Sequence, residues 1–145
     1  MKYIIILIAL AFHVGSALCQ IKKSDLDGRW TMCNENDLYA TVDTIVLHQD
    51  INYQYYVKEC CHFINWNIKS KSIEIEQLFS CLEPGSVTKD NVKRTIKLLK
   101  SNHNQVIVIY ENGKISRKFK VVKFETFIVN RYPYEIKSLI LKKEH

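Results

Sequence analysis

Along most of the chain apolar residues alternate with polar ones. Ile64, Trp66 and Ile68 stand against Asn65, Asn67 and Lys69, and Val92, Ile96 and Leu98 against Lys93, Thr95 and Lys97. A period of two marks strands with one buried face. The same test predicts strands over Arg29 to Asn34, Thr41 to His48, Tyr53 to Lys69 with a bend at Cys60-Cys61, Ser72 to Cys81, Val92 to Lys100, Gln105 to Glu111, Lys114 to Asn130 and Glu135 to Lys142. Asn112-Gly113, between two of these runs, reads as a type I′ hairpin turn, because both positions tolerate positive φ. In the run from Lys114 the apolar phase moves from Ile115, Phe119 and Val121 to Val122 and Phe124, which requires a bulge or bend near Val121-Val122. Glu83 to Asn91 is predicted as a loop or a short turn of helix.

About eight successive strands joined mostly by short turns predict an all-β fold. An antiparallel up-and-down barrel of about eight strands removes exposed sheet edges and, at this strand number, leaves room for one small ligand or for a side-chain core. A two-sheet β-sandwich fits the same alternation and is the alternative. There is no Pro/Gly/Ser-rich linker, repeat or low-complexity tract, so residues 20–145 are read as one domain.

The first residues change the picture of where this domain resides. Lys2 supplies one positive charge, and Tyr3 to Val14 is almost unbroken Ile, Leu, Ala and Phe. That run is too short for a transmembrane helix, which needs about 20 apolar residues. With the small residues of Gly15-Ser16-Ala17-Leu18-Cys19 it reads as a signal peptide over residues 1–19, cut before Gln20, with a cut after Ala17 as the alternative. A secreted, extracellular protein without a membrane anchor is the expectation. Its remaining cysteines are then Cys33, Cys60, Cys61 and Cys81, an even number in a small exported domain, where disulfides form and persist. A bridge between the adjacent Cys60 and Cys61 would be strained, so each is expected to pair with Cys33 or Cys81, in either arrangement. No C-x-x-C pair is present to suggest zinc.

Gly28-Arg29-Trp30 opens the first predicted strand, directly after the polar turn Ser24-Asp25-Leu26-Asp27. This resembles the G-x-W motif of the lipocalin family. The resemblance implies a barrel in which Gly28 lets the chain pass close beneath the floor and Trp30 plugs the closed end. The family's T-D-Y motif has a distant counterpart in Asn130-Arg131-Tyr132, and Arg131 would take the role of the family's arginine that packs across the tryptophan. The chain would be a short, divergent member without the usual helix after the barrel.

The formal net charge is +6. Its lysines, such as Lys93, Lys97, Lys100, Lys114, Lys118, Lys120 and Lys123, are spread singly along the strands, the pattern of a solvated outer face. No nucleic-acid partner is expected. No H-E-x-x-H, G-x-S-x-G, phosphate loop or calcium loop occurs, so neither enzyme activity nor a cofactor or metal is anticipated. No N-glycosylation sequon is present. His48, His62 and His103 are scattered.

The function these features imply is a secreted lipocalin-like binding protein that carries or sequesters a small hydrophobic molecule in a barrel cavity. Candidate cavity-lining residues are the alternating sets Tyr53, Tyr55 and Val57, then Ile64, Trp66 and Ile68, then Ile73, Ile75 and Phe79. The alternative is a secreted protein-binding module, an inhibitor or host or immune modulator, that uses the barrel as a scaffold for a protein partner.

Overall fold

The computed structural model describes residues 20–49, 60–81, 85–101, 104–128 and 135–144. Residues 1–19, expected to be a signal peptide, and Tyr53, Tyr55, Val57, His103 and Arg131 lie outside the described residues. The described residues form nine strands: β1 (Gly28–Cys33), β2 (Thr44–Gln49), β3 (His62–Lys69), β4 (Ser72–Phe79), β5 (Ser86–Lys89), β6 (Arg94–Ser101), β7 (Asn104–Glu111), β8 (Lys114–Ile128) and β9 (Glu135–Glu144). Eight close into an antiparallel barrel in the order β3-β1-β2-β9-β8-β7-β6-β4, with β4 pairing again with β3, and β5 is an extra strand on β4. The sheet is closed, so the sandwich is set aside. The order departs from a plain up-and-down run at one place: β2 and β3 flank β1 on either side and therefore run parallel to each other.

Local chemistry accounts for the strand ends. Asn112 (φ 50°) and Gly113 (φ 81°) both sit at positive φ between β7 and β8, as a type I′ turn demands. The β8–β9 register shifts between Val121 and Lys123, and Val122 is turned out to solvent. A second irregularity, opposite Ile109 and Tyr110, turns Ile115 outward as well.

Two predicted boundaries move. The chain before Thr44 is not strand: Leu38–Thr41 is one helical turn, fixed by the Asn34 side-chain carbonyl, which accepts the Tyr39 N–H at 2.6 Å. Part of Glu83 to Asn91 is strand rather than helix or loop. The β-branched Val87 and Thr88 suit a pleated edge, and Lys89 bridges Glu76 at 2.5 Å and Glu74 at 3.4 Å on the neighbouring β4.

Inside the barrel, Trp30 and Trp66 face each other in register on β1 and β3, and both are fully buried. Strands β3 and β8 lie four places apart in the eight-strand ring, on opposite walls. Their rings nevertheless touch, with Trp66 and Phe119 centroids 5.3 Å apart. Trp30 reaches Phe124 at 6.3 Å and donates its indole N–H to the Leu26 carbonyl at 2.8 Å. Leu26 ends a short 3-10 turn beneath it. Gln105 holds the lead-in chain by accepting the Ile21 N–H (2.8 Å) and donating to the Ile21 carbonyl (2.7 Å). Gly28 has φ +123°, and a Cβ there would displace the Gln49 amide, which donates to the Asp27 carbonyl at 2.5 Å. A glycine before this tryptophan is thus favoured twice over, by backbone conformation and by space.

The disulfides are Cys33–Cys60 and Cys61–Cys81, so the adjacent cysteines do take different partners. They tie the end of β1 to the start of β3 and the start of β3 to the end of β4. Glu35 reinforces the same corner by accepting the N–H groups of Cys61 (2.6 Å) and His62 (3.0 Å), which hold its carboxyl below the ordinary range.

Two outcomes follow for stability. Trp30→Ala empties the floor of the barrel and is expected to cost about 3–5 kcal/mol, read as a lower urea midpoint at unchanged slope; a midpoint equal to the parent's would remove Trp30 from the core. Because the folded pKa of Glu35 is depressed, its contribution is present above the unfolded value near 4.5 and is lost as pH falls through the folded one. Glu35→Gln keeps an acceptor but no charge, so it should shrink the drop in urea midpoint between about pH 6 and pH 3. An unchanged drop would show that the carboxylate does not matter.

Candidate functional site

The predicted lining residues that fall within the described segments occupy inner positions of β3 and β4. Ile64, Trp66, Ile68 and Ile73 are buried in one apolar cluster, and Ile75 packs against it half-buried. Phe79 lies further along, stacked on His62 with centroids 4.3 Å apart. Of the motif residues, Gly28 and Trp30 meet at the floor as described, and Phe124 is the ring packed on Trp30 among the described residues. Trp66 and Phe119 meet across the axis, so the inward residues at that level form a filled core rather than the walls of a central cavity.

Space is found elsewhere. Strand β4 meets β6 through one bridge, Ser72 with Thr95, supported by the Ile96 N–H to the Lys71 carbonyl at 2.9 Å. Beside this narrow seam a groove of about 760 Å³ opens between the β3–β4 turn and residues 90–95. Ile68 and Ile73 line it together with Val92, and polar groups such as Asn67, Glu74 and Thr95 surround them. Two of the predicted lining residues are therefore brought to one site, a groove in the wall.

A second depression, of about 300 Å³, is lined by the helical turn at Tyr39-Ala40, the start of β8 and the end of β9, at the barrel end where β7 also ends and β6 begins. There the inner face changes chemistry on four strands at once. In β6 Leu98 and Ile96 give way to Arg94, in β7 Ile107 and Ile109 to Glu111, in β8 Val121 and Phe119 to Arg117, and in β9 Leu139 and Leu141 to Lys143. Arg94 is bound to Asp90 through two 2.5 Å hydrogen bonds and to Glu111 at 2.6 Å. It keeps both carboxyls below their ordinary range. Arg117 instead lies over the Tyr39 ring, 4.8 Å from its centroid, and Lys143 donates to the Ala40 carbonyl at 3.0 Å. Neither is within ion-pair distance of a carboxylate among the described residues.

Tyr39, on the helical turn, closes this mouth. It is 8% exposed, its ring meets Trp66 edge-on at 6.3 Å, and its hydroxyl has no hydrogen-bond partner in bonding geometry; nor has the Trp66 indole N–H. Burial pushes the Tyr39 phenol up, against the pull of Arg117 and the Trp66 N–H, so it is a neutral O–H donor. The groups that approach the hydroxyl are thus donors themselves, and its own proton has nowhere to go. A buried hydroxyl proton without an acceptor at the rim of a cationic depression is costly unless a ligand supplies one.

Sequence reasoning missed Tyr39, Val92, Arg94, Arg117 and Lys143. The signal for Arg117 was present in the period of two that carries Phe119 and Val121 inward. Tyr39 had none, since its placement depends on a helical turn shorter than any detectable period. Cys33, Glu35 and Cys60 bring ligand-type atoms within 4.8 Å of one another, but the two sulfurs are bonded to each other and offer no thiolate. Among the described residues no helix is long and apolar enough to cross a membrane. No family model matches the chain, and neither a curated protein nor a solved structure matches it.

Proposed function

We propose that this is a secreted, lipocalin-like binding protein that carries or sequesters a small hydrophobic molecule in the seam groove between β4 and β6. The observation that carries the reading is the groove itself: about 760 Å³, floored by Ile68, Ile73 and Val92, in a barrel whose central level is spanned by rings. Its volume lies within the range of small-molecule sites. Affinity comes from apolar surface removed from water, at about 25 cal/mol per Å², and the surrounding polar groups orient the ligand. The two disulfides suit an oxidising, extracellular setting.

One observation favours a second reading, a secreted protein-binding module acting as an inhibitor or host or immune modulator. Cross-strand register places Lys97, Lys118, Lys120 and Lys142 on the outer face of β6, β8 and β9, with Lys120 directly opposite Lys142. Facing like charges cost stability, and an acidic partner covering the Lys120–Lys142 pair would relieve that cost.

The groove is tested with N-phenyl-1-naphthylamine, whose fluorescence rises on leaving water. The parent should enhance it saturably, and Val92→Trp, which fills the groove from an accessible position, should weaken binding by about tenfold or more, or about 1.4 kcal/mol. No enhancement with the parent, or equal affinity in the variant, would refute the carrier reading. Native mass spectrometry of the secreted protein then separates the readings by showing either a bound small molecule or a protein partner.

A further inference from the structure

We propose that the barrel mouth closed by Tyr39 is a second binding site, for a small organic carboxylate whose anionic group faces Arg117 and Lys143 and whose apolar body lies against Tyr39 and Phe119. It shares no lining residue with the seam groove and does not depend on it.

The charge lining the depression favours an anion. Arg94 is held by two carboxylates, Asp90 and Glu111, at 2.5 and 2.6 Å, so it has no positive charge to offer a ligand. Arg117, Lys118 and Lys143 line the 300 Å³ depression against the single carboxylate of Glu144. The site therefore carries an excess of positive charge above a floor that is apolar and aromatic. An arginine is the side chain best shaped for a carboxylate, because its planar fork offers two parallel N–H donors.

The Tyr39 hydroxyl sharpens the class. It is buried, and the groups that approach it, the Trp66 indole N–H and Arg117, are donors, so its own proton has no acceptor. Trp66 is fully buried and Tyr39 nearly so, and their rings are in edge contact. A cationic ligand would meet mostly like charge here, and a hydrocarbon would leave the hydroxyl proton unsatisfied. A carboxylate supplies two oxygens able to accept from several N–H and O–H groups together. The ring of Phe119 is the inner limit of the depression and itself packs on Trp66, so the body of the ligand is short.

The test compares 4-phenylbutyrate with its neutral isostere 4-phenylbutanamide on the folded, disulfide-bonded protein, by calorimetry and by tryptophan fluorescence, which reports Trp66 beside the site. The acid should bind at least about tenfold more tightly than the amide, and its affinity should fall as salt is raised, because an exposed ion contact is screened. Arg117→Gln should abolish the preference for the acid, Lys143→Gln should reduce it, and Tyr39→Phe should weaken the acid more than the amide. Val92→Trp, which blocks the seam groove, should leave acid binding unchanged, so the two sites fail or stand separately. Equal binding of acid and amide by the parent, or no binding of either, would overturn the proposal without any variant. Full retention of the preference in Arg117→Gln would overturn it too, and if that variant does not fold, an undiminished preference in Lys143→Gln overturns it instead.

Discussion

Everything inside this barrel is arranged around the meeting of Trp66 and Phe119. They come from strands on opposite walls, yet their centroids are 5.3 Å apart. An eight-stranded barrel is just wide enough either to be filled by side chains or to hold one small molecule, and two large rings meeting from opposite sides decide for the first at that level. Trp30 with Phe124 continues the filling, and Tyr39 abuts Trp66 from the other side. The apolar surface that makes the fold stable is therefore the surface a central cavity would have used. The open space lies instead where the wall or the rim is incomplete, at the β4–β6 seam and the mouth beneath Tyr39.

The seam is incomplete for a topological reason. β4 is shared: Glu76 to Phe79 pair with β5, which leaves Ser72 to meet β6 at Thr95. A strand divided between two neighbours leaves room beside the division, and the groove lies there. The mouth is incomplete for a chemical one. Four strands end their inward apolar row on a charged residue, and a charged side chain that reaches for water cannot complete a hydrocarbon layer. Arg94 is paired with Asp90 and Glu111, whereas Arg117 is accommodated by the face of Tyr39.

The sequence showed the strands because a residue facing the core of a closed sheet cannot be polar without cost, and that rule acts at every second position. It showed the turn at Asn112-Gly113 and the bulge at Val121-Val122 because both follow from the backbone angles or the side-chain phase of neighbours. What it did not show depends on partners far away in the chain. The side of β1 on which β2 lies is set by pairing with β9, from Thr44 opposite Lys142 to Gln49 opposite Lys137, and no local pattern encodes that choice. β5 becomes a strand because Ser86 to Lys89 pair with Phe79 to Glu76 of β4, again a tertiary event. Of the candidate lining, Ile68 and Ile73 reach a groove, while Trp66, the largest of the set, is part of the obstruction. Alternation tells which face a residue occupies and says nothing of how far across the barrel its ring extends.

The two ends of β1 explain how so small a barrel keeps its form around an off-centre site. At its start, Gly28 passes under Gln49, and the Trp30 N–H is fixed by the Leu26 carbonyl, so the floor is fastened by hydrogen bonds. At its end, Cys33 is bonded to Cys60 and the neighbouring Cys61 to Cys81, so three strand ends are joined covalently where the order of strands is least local. Pairing β1 with β3 rather than leaving β2 between them closes a longer loop, and loop closure costs entropy that a crosslink removes from the unfolded chain instead. The disulfides thus sit where the topology departs from the simplest path. The Gln105 clamp on Ile21 and the Trp30 floor serve the opposite end, while the Tyr39 turn follows closely on Cys33 and is held to the disulfide corner through Asn34.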